Sequence, residues 1–155
     1  KEDAKLSFEK SLLLVFTGIF RNSFELASEQ VSSVAKSSAQ LERIHSLTLE
    51  AQSLFSSSDF VKEFGGLLNE TWQTKKSIND RISNSTVDNI YDAALAAGAY
   101  GGKLLGSGAG GFMIFVAPQN KIKAVKATLS GLVKTTVKID QNGTQCYRSN
   151  SGELI

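Results

Sequence analysis

The chain is poor in the residues that carry most recognisable site chemistry. Among 155 residues it has one cysteine, one histidine, one proline, one methionine and one tryptophan. A lone Cys146 closes no internal disulfide, which points to a reducing, cytoplasmic setting. No basic neighbour activates its thiol, so it reads as structural or incidental. With His45 as the only histidine, the chain lacks the ligands for a zinc site built from His and Cys. Charge of one sign is also scarce: 17 Lys and Arg face 15 Asp and Glu, for a net charge of +2. That balance does not support nucleic-acid binding by bulk electrostatics. No apolar run reaches the roughly 18–20 residues that span a bilayer, and no secretory signal is visible. No catalytic triad, paired acid/base carboxylates or metal cluster can be assembled. The only methionine is Met113, so no initiator opens the chain. A trimmed start would explain that, as would a segment of a longer protein, and the motifs below favour the segment.

What is present suits one compact domain over residues 1–155, with 41% hydrophobic and 21% charged residues. Leu12-Leu-Leu-Val-Phe16 reads as a buried strand with a loop at Thr17-Gly18, and Lys5-Leu-Ser-Phe8 as a short edge strand before it. Residues 22–57 read as a long or broken helix pair, with Phe24, Leu26, Ala27, Val31 and Val34 on one face and Leu41, Ile44, Leu47, Leu49 and Leu54 on a second, looser one. Phe60, Val61, Phe64, Leu67, Leu68 and Trp72 recur at helical spacing, predicting a helix over 59–78 with Trp72 in the core. Ser85-Thr-Val-Asp88 matches a capping box opening a helix through Ile90 and Ala94, which Gly98 ends. Phe112–Val116 is a strand stopped at Pro118. A helix follows through Ile122, Val125 and Leu129, ending near Gly131. Val133 to Ile139 alternates as a half-exposed strand, and Asn142-Gly143 signals a hairpin into a last strand near 144–148. The fold class is α+β, a ferredoxin-like antiparallel sheet with packed helices.

Seven glycines crowd the fourteen residues Gly98-Ala-Tyr-Gly-Gly-Lys-Leu-Leu-Gly-Ser-Gly-Ala-Gly-Gly111. Gly106 to Gly111 matches G-x-G-x-x-G literally. The dinucleotide fingerprint needs strand, glycines, then helix; here the order is helix, glycines, strand. The Walker A pattern fails because no Gly-Lys-Ser/Thr occurs. A flexible linker is the bland alternative, but Leu104, Leu105 and Phe112 brace the stretch, unlike a polar Gly/Ser linker. Glycines so placed make tight turns or let a backbone or a phosphate approach closely.

The order helix, G-A-x-G-G-K-L-L-G-x-G-x-G-G-F, strand resembles the third conserved motif of the GHMP small-molecule kinases. Within that superfamily it looks most like the D-glycero-D-manno-heptose 7-phosphate kinase group. Leu13-Leu-Val-Phe-Thr-Gly-Ile-Phe-Arg21, Leu67-Leu-Asn-Glu-Thr-Trp-Gln-Thr-Lys-Lys76 and Ile82-Ser-Asn84 support the subgroup. The match covers essentially the whole chain, but only the C-terminal half of such kinases. Their Pro-rich substrate motif and P-x-G-x-G-L-S-S-S phosphate loop are absent. Leu105 stands where many members carry Ser or Thr, Ser107 where Ala is common, and Ala109 where Gly is common.

The resemblance implies an ATP- and Mg-dependent sugar-phosphate kinase, with both cofactors bound mainly by an N-terminal domain and this part inactive alone. It implies a cleft loop near phosphate formed by Gly106, Ser107, Gly108, Ala109, Gly110 and Gly111. Arg21, Thr17, Gly18 and Lys103 become substrate-side candidates. For Arg21 and Lys103, clamping a phosphate stands beside the plain alternative of a surface charge. Lys75 reads as a solvated helix charge, His45 as a surface residue, and Glu70 and Asp88 as ordinary helix carboxylates. Partners would be a sugar phosphate and the N-terminal domain. Galactose- or fucose-type sugar 1-kinases are rival readings, as is a non-catalytic binding module with this fold. A domain parted from its other half should also expose an apolar patch on its cleft side.

Overall fold

The computed structural model describes residues 2–20, 36–143 and 145–146. Its centre is β1 (Leu12–Phe16), which runs antiparallel to β3 (Phe112–Val116) on one side and β4 (Lys134–Thr135) on the other. β2 (Gly101–Leu104) pairs with β3 and completes the antiparallel order β2-β3-β1-β4. That order is the ferredoxin-like one expected from the sequence.

Register separates the two faces. Leu13 lies opposite Phe115 and Val15 opposite Met113, while Leu104 also lies opposite Met113. All five are fully buried. Against them pack α4 (Ser85–Ala96), through Val87, Tyr91 and Ala94, and α5 (Ile122–Thr128), through Val125. The Tyr91 hydroxyl donates to Asn69 Oδ1 at 2.5 Å, and burial pushes its pKa up to about 12. α4 stops where Gly98 takes a φ of +103°.

α2 (Ser38–Ser53) packs on α3 (Phe60–Lys76), and α3 runs along the edge strand β2. Gly65 of α3 meets Gly101 of β2 so closely that a Cβ on Gly101 would collide with the Gly65 carbonyl oxygen. Trp72 of the same helix is fully buried, 6.4 Å from the Tyr91 ring.

Several expectations need correction. Lys5–Phe8 is not a strand but part of helix α1 (Glu2–Glu9). Lys5 and Glu9 pair one helical turn apart, and Phe8 docks on Phe60 and Phe64 at ring separations of 4.9 and 5.3 Å. β2 lies inside what reads as glycine loop, so Lys103 stands on a strand. The strand expected over 133–139 pairs only at Lys134 and Thr135. The α4 cap is Asn84, whose Oδ1 accepts from Val87 N–H at 3.1 Å, rather than Ser85. Asp88 accepts instead from Lys76 Nζ at 3.1 Å and Ser83 Oγ at 2.9 Å. Gly143 has a φ of +67°, as a turn requires, whereas Gln145 and Cys146 are not in a strand and the rest of the last expected strand lies outside the described residues. Residues 22–35 of the first expected helix also lie outside them.

Candidate functional site

β2 and β3 are joined by the loop 105–111, which is held by four other segments. The 3-10 turn Asp80–Ile82 comes first: Ala109 N–H donates to Ile82 O at 2.8 Å. Gly108 packs so tightly there, at a φ of +124°, that a Cβ would sit 2.9 Å from Ile82 O. Ala109 holds a φ of +60°, the only non-glycine positive value among the described residues.

The α4 cap comes second. Asn84 Nδ2 donates to Ala109 O at 2.8 Å while its Oδ1 caps the helix. One side chain thus ties the N-terminal end of α4 to the loop.

The end of β1 comes third. Thr17 N–H and Thr17 Oγ1 both donate to Gly111 O at 2.9 Å. Ile19 N–H donates to Thr17 Oγ1 at 3.3 Å, and Gly111 N–H returns to Ile19 O at 3.0 Å.

At the start of the loop, Lys75 from the last turn of α3 donates through Nζ to Gly106 O at 2.5 Å. The neighbouring Lys76 pairs with Asp88 and stands 5.8 Å from the Trp72 ring centre.

The sequence candidates fall into different roles. Thr17 reaches the loop, but its side chain is buried and committed to the backbone. Gly18 is exposed beside it, with a φ of +79°. Lys103 is half-buried on β2, opposite Ile114, and burial lowers its pKa below the ordinary lysine value. Arg21 lies outside the described residues. Lys75 and Asn84 emerge as loop-binding residues; both lie in segments that carry the family resemblance, but nothing in those segments assigns them this role. Cys146 and His45 are both exposed, away from these contacts.

An apolar patch borders the loop. Phe16 lies 5.0 Å from Phe20 and 5.1 Å from Phe112, ring centre to ring centre. Phe20 is 88% exposed and Phe112 42%. At the other end of the sheet, an open groove of about 400 Å³ is lined by Ser7, Phe8, Ser11, Phe60, Tyr100 and Gln119, among others. Its polar groups pair with each other, as in Gln119 Nε2 to Ser7 Oγ at 3.0 Å and Ser11 Oγ to Ser7 O at 3.2 Å.

The fold and the braced glycine loop define an α+β domain whose principal device is backbone, not side-chain chemistry. Comparison with known proteins gives the family. Residues 51–134 match the family described as GHMP kinases C terminal, and the chain belongs to it. It is 34% identical over 123 residues to D-glycero-alpha-D-manno-heptose 7-phosphate kinase of Campylobacter jejuni, covering 77% of this chain and 36% of that enzyme. It is 31% identical over 120 residues to the L-fucokinase/L-fucose-1-P guanylyltransferase of Bacteroides fragilis, covering 74% of this chain and 12% of that protein. The crystal structure of L. major mevalonate kinase in complex with R-mevalonate superposes with a TM-score of 0.69 at 21% identity, over 82% of this chain and 42% of that one. That likeness shows the fold. The chain spans about a third of the heptose kinase's length, 36%.

Proposed function

We propose that this chain serves as the C-terminal domain of a cytoplasmic, ATP- and Mg-dependent sugar-phosphate kinase that phosphorylates D-glycero-D-manno-heptose 7-phosphate. The observation that carries the reading is the 34% identity to a heptose 7-phosphate kinase, joined to a glycine loop held by the side chains of Thr17, Lys75 and Asn84.

Phosphoryl transfer is largely positioning and electrostatic stabilisation, so a rigid backbone loop is a fitting contribution. Ala109, Gly110 and Gly111 direct their N–H groups to the carbonyls of Ile82, Gly108 and Ile19. We assign the whole of Gly106, Ser107, Gly108, Ala109, Gly110 and Gly111 to the phosphate side of the cleft, with these bonds bracing its second half. Lys103, Gly18 and Arg21 remain the substrate-side residues, while Thr17 acts through Gly111. Among the described residues no group of three or more His, Cys, Asp and Glu is placed to hold a metal ion. On the family resemblance we assign Mg and most of the ATP contact to an N-terminal domain, which the Phe16, Phe20 and Phe112 patch would adjoin. The 155-residue chain alone is then inactive. No described helix is long and apolar enough to cross a membrane.

The test is steady-state kinetics on the full-length protein with heptose 7-phosphate, fucose, galactose and mevalonate, each with ATP and Mg. The expected result is a kcat/KM for heptose 7-phosphate at least about 100-fold above the others, a gap a polar site can supply. A preference for an unphosphorylated sugar would replace the heptose reading by a sugar 1-kinase. Robust turnover by the 155-residue chain alone would refute the two-domain reading.

A further inference from the structure

Lys75 reads as a solvent-facing helix charge, yet its side chain is half-buried and its Nζ lies 2.5 Å from Gly106 O. A hydrogen bond from an ammonium is about twice as strong as a neutral one. Its acceptor is the entrance residue of the loop, Gly106, at a φ of +75°. In a planar trans peptide the C=O and the following N–H point in opposite directions. Lys75 draws the Gly106 carbonyl towards α3, so the Ser107 N–H is turned away from α3. Glycines at 106 and 108 give this peptide little steric reason to keep one orientation. The tether, by contrast, is anchored: α3 carries Trp72 in the fully buried core one turn earlier. The loop's second half has its own holds, Asn84 on Ala109 O and Thr17 on Gly111 O. Ser107 and Gly108 have interactions of their own besides this tether.

We propose that Lys75 is a positioning residue: it fixes the orientation of the Gly106–Ser107 peptide, and with it the face that the loop presents to the transferred phosphate. The proposal rests on the kinase reading above. Donors fixed before the charge develops need no reorganisation during reaction, so losing the tether costs turnover more than ground-state affinity.

Two variants test this. Lys75→Met keeps the aliphatic stem without the donor; Lys75→Arg keeps a cationic donor. In the full-length kinase, K75M should lower kcat about 10- to 100-fold, with KM for sugar and ATP changed less than about threefold, a pattern of loss confined to the transition state. K75R should recover most of the loss. In the 155-residue chain, NMR-detected amide exchange at Ser107 should quicken in K75M while Ile90, Tyr91 and Ala94 of α4 keep wild-type protection. The second measurement stands alone: if the wild-type kinase phosphorylates no sugar, the kinase reading fails and Ser107 exchange still decides the tether. Wild-type kcat in K75M, or unchanged Ser107 exchange, overturns the proposal. A raised KM at unchanged kcat overturns it too, because Lys75 would then be a ligand contact. If K75M lowers protection throughout α4, Lys75 supports the fold rather than the loop, and the proposal is also overturned.

Discussion

Ala109 sits at a φ of +60° between Gly108 and Gly110. An L-residue in the left-handed region carries about 1–2 kcal/mol of steric cost, because Cβ crowds the following carbonyl oxygen. Ala109→Gly removes that cost. It also frees the unfolded chain, which offsets about 0.4–1 kcal/mol. Both hydrogen bonds of residue 109, N–H to Ile82 O and carbonyl from Asn84 Nδ2, are made by its backbone and survive the change. The substitution therefore isolates the dihedral. The net expectation is a gain of about 0.5–1 kcal/mol, from the difference of those two terms. For a chain of this size that is a Tm rise of about 1–4 °C. Urea unfolding followed by circular dichroism measures it as a higher midpoint at constant m-value. Ala109→Val supplies the opposite sign, since a β-branched side chain tolerates positive φ worse than alanine does. A lower midpoint for A109G, or equal midpoints for A109G and A109V, would refute the assignment of strain to this residue.

The double role of Asn84 predicts a separation. Asn84→Ala loses both the cap, worth about 1 kcal/mol, and the hold on Ala109 O, worth about another 1 kcal/mol. Asn84→Asp keeps the capping acceptor but sets a carboxylate against that carbonyl, so hydrogen exchange should quicken in the loop while α4 stays protected; equal loosening of both would show that the two roles are not separable. Lys103 has a folded pKa lowered by burial from the model-peptide value of 10.5, so the unfolded chain binds more protons between the two values. Stability should therefore climb as pH rises through that window, and Lys103→Met should be more stable than wild type at pH 7 and lose the climb. A flat wild-type profile from pH 8 to 10.5, read by urea midpoints, would contradict that burial. Gly101→Ala should cost about 1–3 kcal/mol by overpacking, because its Cβ meets the Gly65 carbonyl oxygen; a thermal midpoint equal to wild type would show that α3 can retreat from β2 freely.

Strong periodicity carried β1, β3, α3 and α4 from sequence to structure with only small shifts of boundary. Where the pattern was weak, backbone needs decided. Gly101-Gly102 has almost no strand propensity, yet β2 forms there because β3 offers a ladder and α3 approaches too closely for any side chain at 101. Leu6 and Phe8 alternate like an edge strand, but Phe8 gains an aromatic seat on Phe60 and Phe64 only from a helix. Ser83, Asn84 and Ser85 are all capping types, and tertiary contact selects Asn84 because its amide also reaches Ala109. Thr17 and Lys75 show the same limit at the site. The hydroxyl read as a substrate contact faces the loop backbone, and the ammonium read as solvated does too. Polar side chains have no periodicity that reports their partner, so such roles emerge only when the fold supplies the neighbour.

The dinucleotide reading fails on chain order, because a strand, β3, directly follows the glycines. The spatial arrangement nevertheless puts a helix start against them. Asn84 caps α4 and grips Ala109 with the two ends of one amide, so the positive end of a helix that precedes the loop in sequence lies beside it in space. Sequence order alone thus rejects one fingerprint without excluding the physical device behind it. What differs is how the loop is held. In the fingerprint, the helix continues from the glycines and sets their geometry through its own backbone. Here separate side chains grasp successive carbonyls, Lys75 at Gly106, Asn84 at Ala109 and Thr17 at Gly111. Each grip can be removed singly without breaking the chain's path. A loop built this way is tunable point by point, and its geometry depends on residues at positions 17, 75 and 84 that a search for glycine motifs would not examine.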